Sequence, residues 1–397
     1  MNARAQALDL ILRWQRSRSL ADELLDAVTA ERALTMDLFY GWLRHRAALE
    51  FIQQRAVPKT PRPVVSALIQ LGLYQLHFLK LPAHAAVHET VELAKARVSA
   101  AEARLVNAVL RQADPGVLRD APPWIRWSHP QWLWERWLAR YGEEQTMALC
   151  DWNNQPPPLY ARRNTLRHVA DSTLPACLVP SDRHPLCYRV TDPAGLFAST
   201  AWAEGAFYLQ DPSTLLAVDL LDPQPGESVL DLCAAPGGKT TYLAQKMNNH
   251  GRIIAVDSSN TRLAKVTENC RRLGVTIVAT LACDGTRAER CLRGERFDRV
   301  LVDAPCSNTG VMRRRPDLRW RLRAEELPRL AALQRALLQT AFQLVRPGGA
   351  LVYSTCSLEP EENEDVISGL PAPTIQRTLF PPRDQMDGAF VALWQHT

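Results

Sequence analysis

Apolar residues recur three and four positions apart early in the chain: Leu8, Ile11 and Leu12, then Leu24, Leu25 and Val28. That spacing lays one apolar stripe along a helix. It predicts longer helices over 34–51, 64–81, 84–97 and 102–112, separated at Pro58, Pro61 and Pro63 and ended by Asp114-Pro115-Gly116. With β-branched alternation scarce, residues 1–116 are expected to form an all-α helical bundle. From Glu204 the rhythm changes. Short apolar runs at 228–232, 252–257, 277–282, 299–304 and 350–354 read as buried strands, with helical patterns at 240–247, 261–273 and 324–345 between them. Such alternation predicts a doubly wound, mostly parallel α/β sheet over 204–397. The run 388–394 is expected to add a last, antiparallel strand.

Residues 117–203 carry neither rhythm. A proline-rich stretch at 121–130 leads into a short helix over 131–141, whose Trp132, Trp134 and Trp137 are read as packing residues. A second break, 153–158, precedes a strand over 159–166. A small α+β subdomain is expected here.

Composition is that of a globular protein, and no apolar run is long enough to span a bilayer. Nine cysteines without a CxxC pair argue against a zinc site or a disulfide framework, and no metal is expected. Scattered thiols and the lack of a leader pattern place the chain in the cytoplasm. The net charge is only +5, but its distribution is uneven: residues 311–323 hold six arginines against one aspartate. Guanidinium groups suit phosphates and an aromatic can stack on a base. Arg313, Arg314, Arg315, Arg319 and Trp320 are therefore candidate nucleic-acid contacts.

The chemistry gathers at strand ends, where open α/β sheets place their ligands. Cys356 follows the apolar run 349–353, and Cys306 closes the run 299–305 just after Asp303. Free cysteine is most often buried and inert. Two at strand ends, one beside an aspartate, point instead to covalent chemistry, and on the residues alone Cys306 looks the better activated. The first strand runs into Cys233-Ala234-Ala235-Pro236-Gly237-Gly238-Lys239-Thr240. Small residues and two glycines let a ligand approach the backbone and a helix N-terminus. A P-loop would need a glycine at position 233, where Cys233 stands, so that reading is disfavoured. Asp257, 26 residues after Asp231, is placed for a ribose diol, and Asp284 and Asp303 end the next two strands. Together these carboxylates indicate a nucleoside cofactor.

The segment 233–240, the run Val302-Asp-Ala-Pro-Cys-Ser-Asn-Thr-Gly310 and the run Ser354-Thr-Cys-Ser-Leu-Glu-Pro-Glu-Glu-Asn-Glu364 resemble signature motifs of the S-adenosylmethionine-dependent RNA cytosine-C5 methyltransferases. Residues 210–214 and 104–111 are similar to segments of the branch that carries a NusB-like helical domain and includes methyltransferases of bacterial 16S ribosomal RNA. The resemblance implies three domains: a NusB-like RNA-binding bundle over 1–116, a small α+β subdomain over 117–203, and a Rossmann-like class I methyltransferase domain over 204–397. It implies S-adenosyl-L-methionine held by residues 233–239, Asp257, Asp284 and Asp303, and 16S ribosomal RNA as substrate, with no obligate protein partner and no membrane. It moves the nucleophile to Cys356, with Cys306 assisting release of the adduct and Asp303 binding the cytosine edge. Lys239 would line the same site, its ammonium favouring a nearby thiolate. A non-catalytic RNA-binding factor and a DNA methyltransferase using Pro305-Cys306 remain the competing readings. The chain departs from the pattern at Asn308, where a small residue is expected, at Ala389, where an aromatic is common, and in a short 365–390 segment. Cys150, Cys177, Cys187, Cys270, Cys283 and Cys291 are read as structural.

Overall fold

The structure, a computed structural model, describes residues 2–28, 31–167, 169 and 174–396. Its contacts divide the chain into two compact units: Met1–Pro156 with Met312–Ala324, and Pro157–Val311 with Glu325–Thr397. The division between these units falls at Pro156/Pro157, and a late segment belongs with the first unit.

The first unit is helical, with helices at Ala3–Arg16, Arg32–Ala56, Pro63–Leu73, Ala83–Arg97, Ala100–Gln112 and Gln131–Asn154. Local chemistry sets their ends. Asn2 accepts the Ala5 N–H at 2.9 Å, and Ser99 and Glu102 form a reciprocal capping box. The last helix runs well past the expected end at 141 because it breaks only locally, at Gly142 (φ 75°). Trp14 packs edge-on against Trp42 at 5.7 Å in a core that includes Phe39 and Leu68. Trp134 and Trp137 are buried, which agrees with their reading as packing residues.

Two arginines of the run, Arg313 and Arg319, are buried inside this unit, which takes those two out of the candidate nucleic-acid surface. Arg319 is fully buried. Its Nη1 donates to the carbonyls of Arg44 (3.4 Å) and Ser128 (3.1 Å) and to Asn154 Oδ1 (2.7 Å); its Nη2 donates to the Asn153 carbonyl (2.9 Å). Arg313 donates to the carbonyls of Gln155 and Pro156 and stacks on Trp152 at 4.2 Å. Trp320 packs on the helical core and donates Nε1–H to the Leu43 carbonyl at 2.7 Å. A guanidinium has five donors, so it can satisfy several helix-end and loop carbonyls at once. Arg315 is exposed and Arg314 half-buried.

His129, beside Arg319, is buried at 1% exposure. Its Nδ1 bonds the Trp127 carbonyl at 2.7 Å. Burial, and then the Arg319 charge, hold this imidazole well below its usual range. It is therefore neutral when folded, whereas the unfolded chain takes up a proton below about pH 6.5. The stability it contributes is present above that pH and lost as pH falls. Denaturant titrations should show the parent losing about 1.4 kcal/mol more per pH unit below 6.5 than His129→Gln. Equal slopes for the two proteins would contradict this.

The second unit holds two sheets among the described residues. Strands β1 (Leu159–Arg163), β2 (Leu178–Pro180), β3 (Cys187–Val190) and β4 (Phe207–Leu209) form an antiparallel sheet in the order β2-β3-β1-β4. Strands β5 (Ser228–Asp231), β6 (Arg252–Asp257), β7 (Val278–Ala282), β8 (Phe297–Asp303), β9 (Val345–Thr355), β10 (Ile375–Leu379) and β11 (Ala389–Gln395) form the larger one, ordered β10-β11-β9-β8-β5-β6-β7. Strands β5 to β9 pair in parallel and β11 lies antiparallel to β9, as the pattern predicts. The β10 edge strand goes unpredicted. Chain order leaves β5 toward β6 and β7, then resumes at β8 on its other side. That reversal opens a crevice at the carboxyl ends of β5 and β8. No helix among the described residues is long and apolar enough to cross a membrane.

Candidate active site

The loop after β5 turns through Gly237 (φ 101°), where a Cβ would lie 3.2 Å from Val266 Cα. Glycine is thus required both by the backbone angle and by the close approach. The helix that follows, Gly238–Lys246, has no side-chain cap, so its first N–H groups face the crevice without a protein acceptor from that position. Asp257 ends β6 nearly buried; its Oδ1 accepts the Ser259 N–H at 3.0 Å and Arg262 lies 3.4 Å from Oδ2. Asp284 follows β7, exposed, with Oδ1 holding the Thr286 N–H and hydroxyl, which keep its carboxyl below the usual range. A glycine cradle, an uncapped helix start and carboxylates at successive strand ends fit a nucleoside bearing an amino acid moiety: diol on carboxylate, carboxylate on N–H groups.

Asp231 differs from these. It is buried, its Oδ2 accepts the Thr240 hydroxyl at 2.7 Å, and burial raises its carboxyl to about 7. It fastens the loop rather than facing a ligand. Cys233 sits in the same loop as an inert thiol, pushed up by burial and then by Asp231, Asp303 and Asp257.

Across the crevice, Asp303 ends β8 with both oxygens engaged: Lys239 Nζ donates to Oδ2 at 2.6 Å and Ser354 Oγ to Oδ1 at 2.8 Å. Burial acts to lower Lys239, but the Asp303 charge and hydrogen bond outweigh it and hold the ammonium above its usual range. Lys239 is a fixed cation. Cys306 and Cys356 leave the adjacent strands β8 and β9 and bring their sulfurs to 3.2 Å. The Cys306 thiol is raised well above its ordinary value, first by its hydrogen bond with Cys356, then by burial. Cys306 therefore remains a thiol near neutral pH. The four predicted catalytic residues thus gather in one place.

Two groups went unforeseen. Glu362, fully buried, ties the two cysteine loops together. It accepts the Ser307 N–H at 2.8 Å, the Ser307 and Ser357 hydroxyls, and Gln334 Nε2 at 2.9 Å. The run 359–364 reads as an acidic helix start; three of its members, Glu359, Glu362 and Asn363, are in fact buried. Arg162 on β1 is also buried, donating to the Gly238 carbonyl (2.9 Å) and Thr241 Oγ1 (3.0 Å) between Tyr208 and Tyr242. It fastens the small sheet to the start of the cofactor-loop helix. Cys150, Cys187 and Cys270 are buried thiols. Cys283 and Cys291 form a disulfide, which corrects the expectation of free thiols. The Ala288–Cys291 turn folds back beside the end of β7, a pairing that an eight-residue separation does not reveal.

Known proteins match along the whole chain. The family model described as NusB family matches residues 1–115, the ferredoxin-like domain of RsmF/B-like methyltransferases matches 129–176, and 16S rRNA methyltransferase RsmB/F matches 218–371. Ribosomal RNA small subunit methyltransferase B of Klebsiella pneumoniae (strain 342) is 37% identical over 418 residues, covering 98% of this chain and 96% of its own. The protein of that name from Vibrio cholerae serotype O1 is 36% identical, covering 91% and 89%. The crystal structure of PH0851 aligns with a TM-score of 0.78 at 27% identity over 99% of this chain and 98% of its own. With its glycine cradle, carboxylate row and paired thiols, the chain belongs to the RsmB/F family of ribosomal RNA methyltransferases, enzymes that use S-adenosylmethionine.

Proposed function

We propose that the protein methylates C5 of a cytosine in 16S ribosomal RNA through a covalent adduct between Cys356 and C6 of the base. The carrying observation is the pair of thiols 3.2 Å apart beside the Lys239–Asp303 ion pair. Residues 233–239, Asp257, Asp284 and Asp303 would hold the cofactor, which when bound supplies an electrophilic methyl group. C5 of cytosine is a weak nucleophile. A Cys356 thiolate adding to C6 makes C5 electron-rich enough to take that methyl. Asp303 keeps lone pairs for the exocyclic amine, and its anchoring by Lys239 and Ser354 fixes its direction. Loss of the C5 proton to water then expels Cys356. Cys306, held as a thiol, donates a hydrogen bond to the departing sulfur. The base must leave its stack to reach these groups. RNA contact falls to the helical unit and to Arg314 and Arg315, candidate contacts that are half-buried and exposed. Such a substrate places the enzyme in the cytoplasm.

Bisulfite sequencing of 16S ribosomal RNA incubated with the protein and cofactor should reveal a new 5-methylcytosine; methylation at any other atom sinks the reading. Cys306→Ala should accumulate a slow-migrating protein–RNA species on denaturing gels. A competent RNA giving no such species removes Cys306 from adduct release.

A further inference from the structure

Asn308 stands where a small residue is expected, and its side chain reaches both thiols' loops. The Cys356 Sγ–H donates to Asn308 Oδ1 at 3.1 Å, while Asn308 Nδ2 donates to the Cys306 carbonyl at 2.7 Å. That carbonyl can only accept. Turning the amide over would set two acceptors 2.7 Å apart, so Oδ1 is locked toward Cys356. An amide oxygen stabilises a thiol and repels a thiolate. The residue sits at φ 60°, a conformation asparagine tolerates better than most. We propose that Asn308 is a positioning residue that holds Cys356 as a protonated thiol in the resting protein, and that this bond breaks before the sulfur attacks. This rests on Cys356 being the nucleophile.

Other ionisable groups surround Cys356. Cys306 comes from the loop after β8, and Lys239, bonded to Asp303, from the cofactor-loop helix. Glu362 lies behind both loops, and Asp387 is buried before Gly388, which packs on Gly310. Lys239 is the cation among them; Asn308 is the neutral acceptor that touches the sulfur. On ionisation the Cys356 proton passes to water, and the Cys306 S–H remains as the sulfur's donor.

Glycine and aspartate both accept the left-handed backbone, so Asn308→Gly and Asn308→Asp avoid strain. The test is the pH dependence of Cys356 alkylation by iodoacetamide, read by peptide mass spectrometry on the full chain. In Asn308→Gly the midpoint should fall by about one pH unit, with alkylation at pH 7 rising roughly tenfold. In Asn308→Asp it should rise. An unchanged or raised midpoint in the glycine variant overturns the proposal, as does a lowered one in the aspartate variant should only that protein fold. Alkylation reads the sulfur's acidity whether or not it attacks RNA, so this failure is distinct from retained methyl transfer in Cys356→Ala.

Discussion

Cys356→Ala is expected to lower methyl transfer to RNA by about 10³-fold or more while leaving S-adenosylmethionine affinity within about twofold. Removing the attacking atom removes the step that activates C5, and neighbouring groups cannot replace it. Cys306 is 3.2 Å away but is kept protonated, and it leaves a different strand. Cofactor binding should survive because the cradle 233–239 and Asp257 lie on other loops. The measurement is transfer of a labelled methyl group to 16S ribosomal RNA, alongside calorimetric titration of the cofactor. If Cys356→Ala stays active and Cys306→Ala is dead, the nucleophile belongs to the Pro305-Cys306 motif, as in the DNA methyltransferase reading.

Arg319→Ala should destabilise the helical unit by about 3–5 kcal/mol, a fall of roughly 10 °C in its melting temperature. The guanidinium is buried with hydrogen bonds to Arg44, Ser128, Asn153 and Asn154. Burial lowers it to about 9, so it stays charged near neutral pH. Its removal leaves three carbonyls and an amide oxygen short of a donor, and each buried unmet acceptor costs on the order of 1–3 kcal/mol. Arg315→Ala is the contrast: its nearest carboxylate, Asp22, is 4.0 Å away and both side chains are about half exposed. It should change stability by about 0.5 kcal/mol or less. Equal melting temperatures for Arg319→Ala and the parent would show that the buried cation is dispensable.

The central parallel strands β5, β6, β8 and β9 were legible because they are largely buried and read as continuous apolar runs. Strand β10 was not, since this edge strand leaves Gln376 and Arg377 exposed. The cofactor loop and both cysteines were legible because their chemistry is local: a glycine turn, a strand end, a thiol. Glu362 was not, because its role arises only when loops 50 residues apart meet on one carboxylate. Asn308 was noticed as a departure, but its bond to Cys356 needs a backbone conformation that residue order does not display. Arg313 and Arg319 misled for a related reason. A row of like charges usually faces water, and the sequence carries no mark of the carbonyls that draw Arg313 and Arg319 inward.

The return of Met312–Ala324 to the first unit also bears on the order of synthesis. A ribosome that has released Pro156 has made every long helix of that unit but not Arg319, which donates to the carboxyl-terminal end of one of them and to a mid-helix carbonyl of another. At ordinary elongation speed the missing guanidinium follows about 10–30 s later. For that interval the nascent helices must wait unfinished, and a shortened gene ending at residue 156 would never complete them.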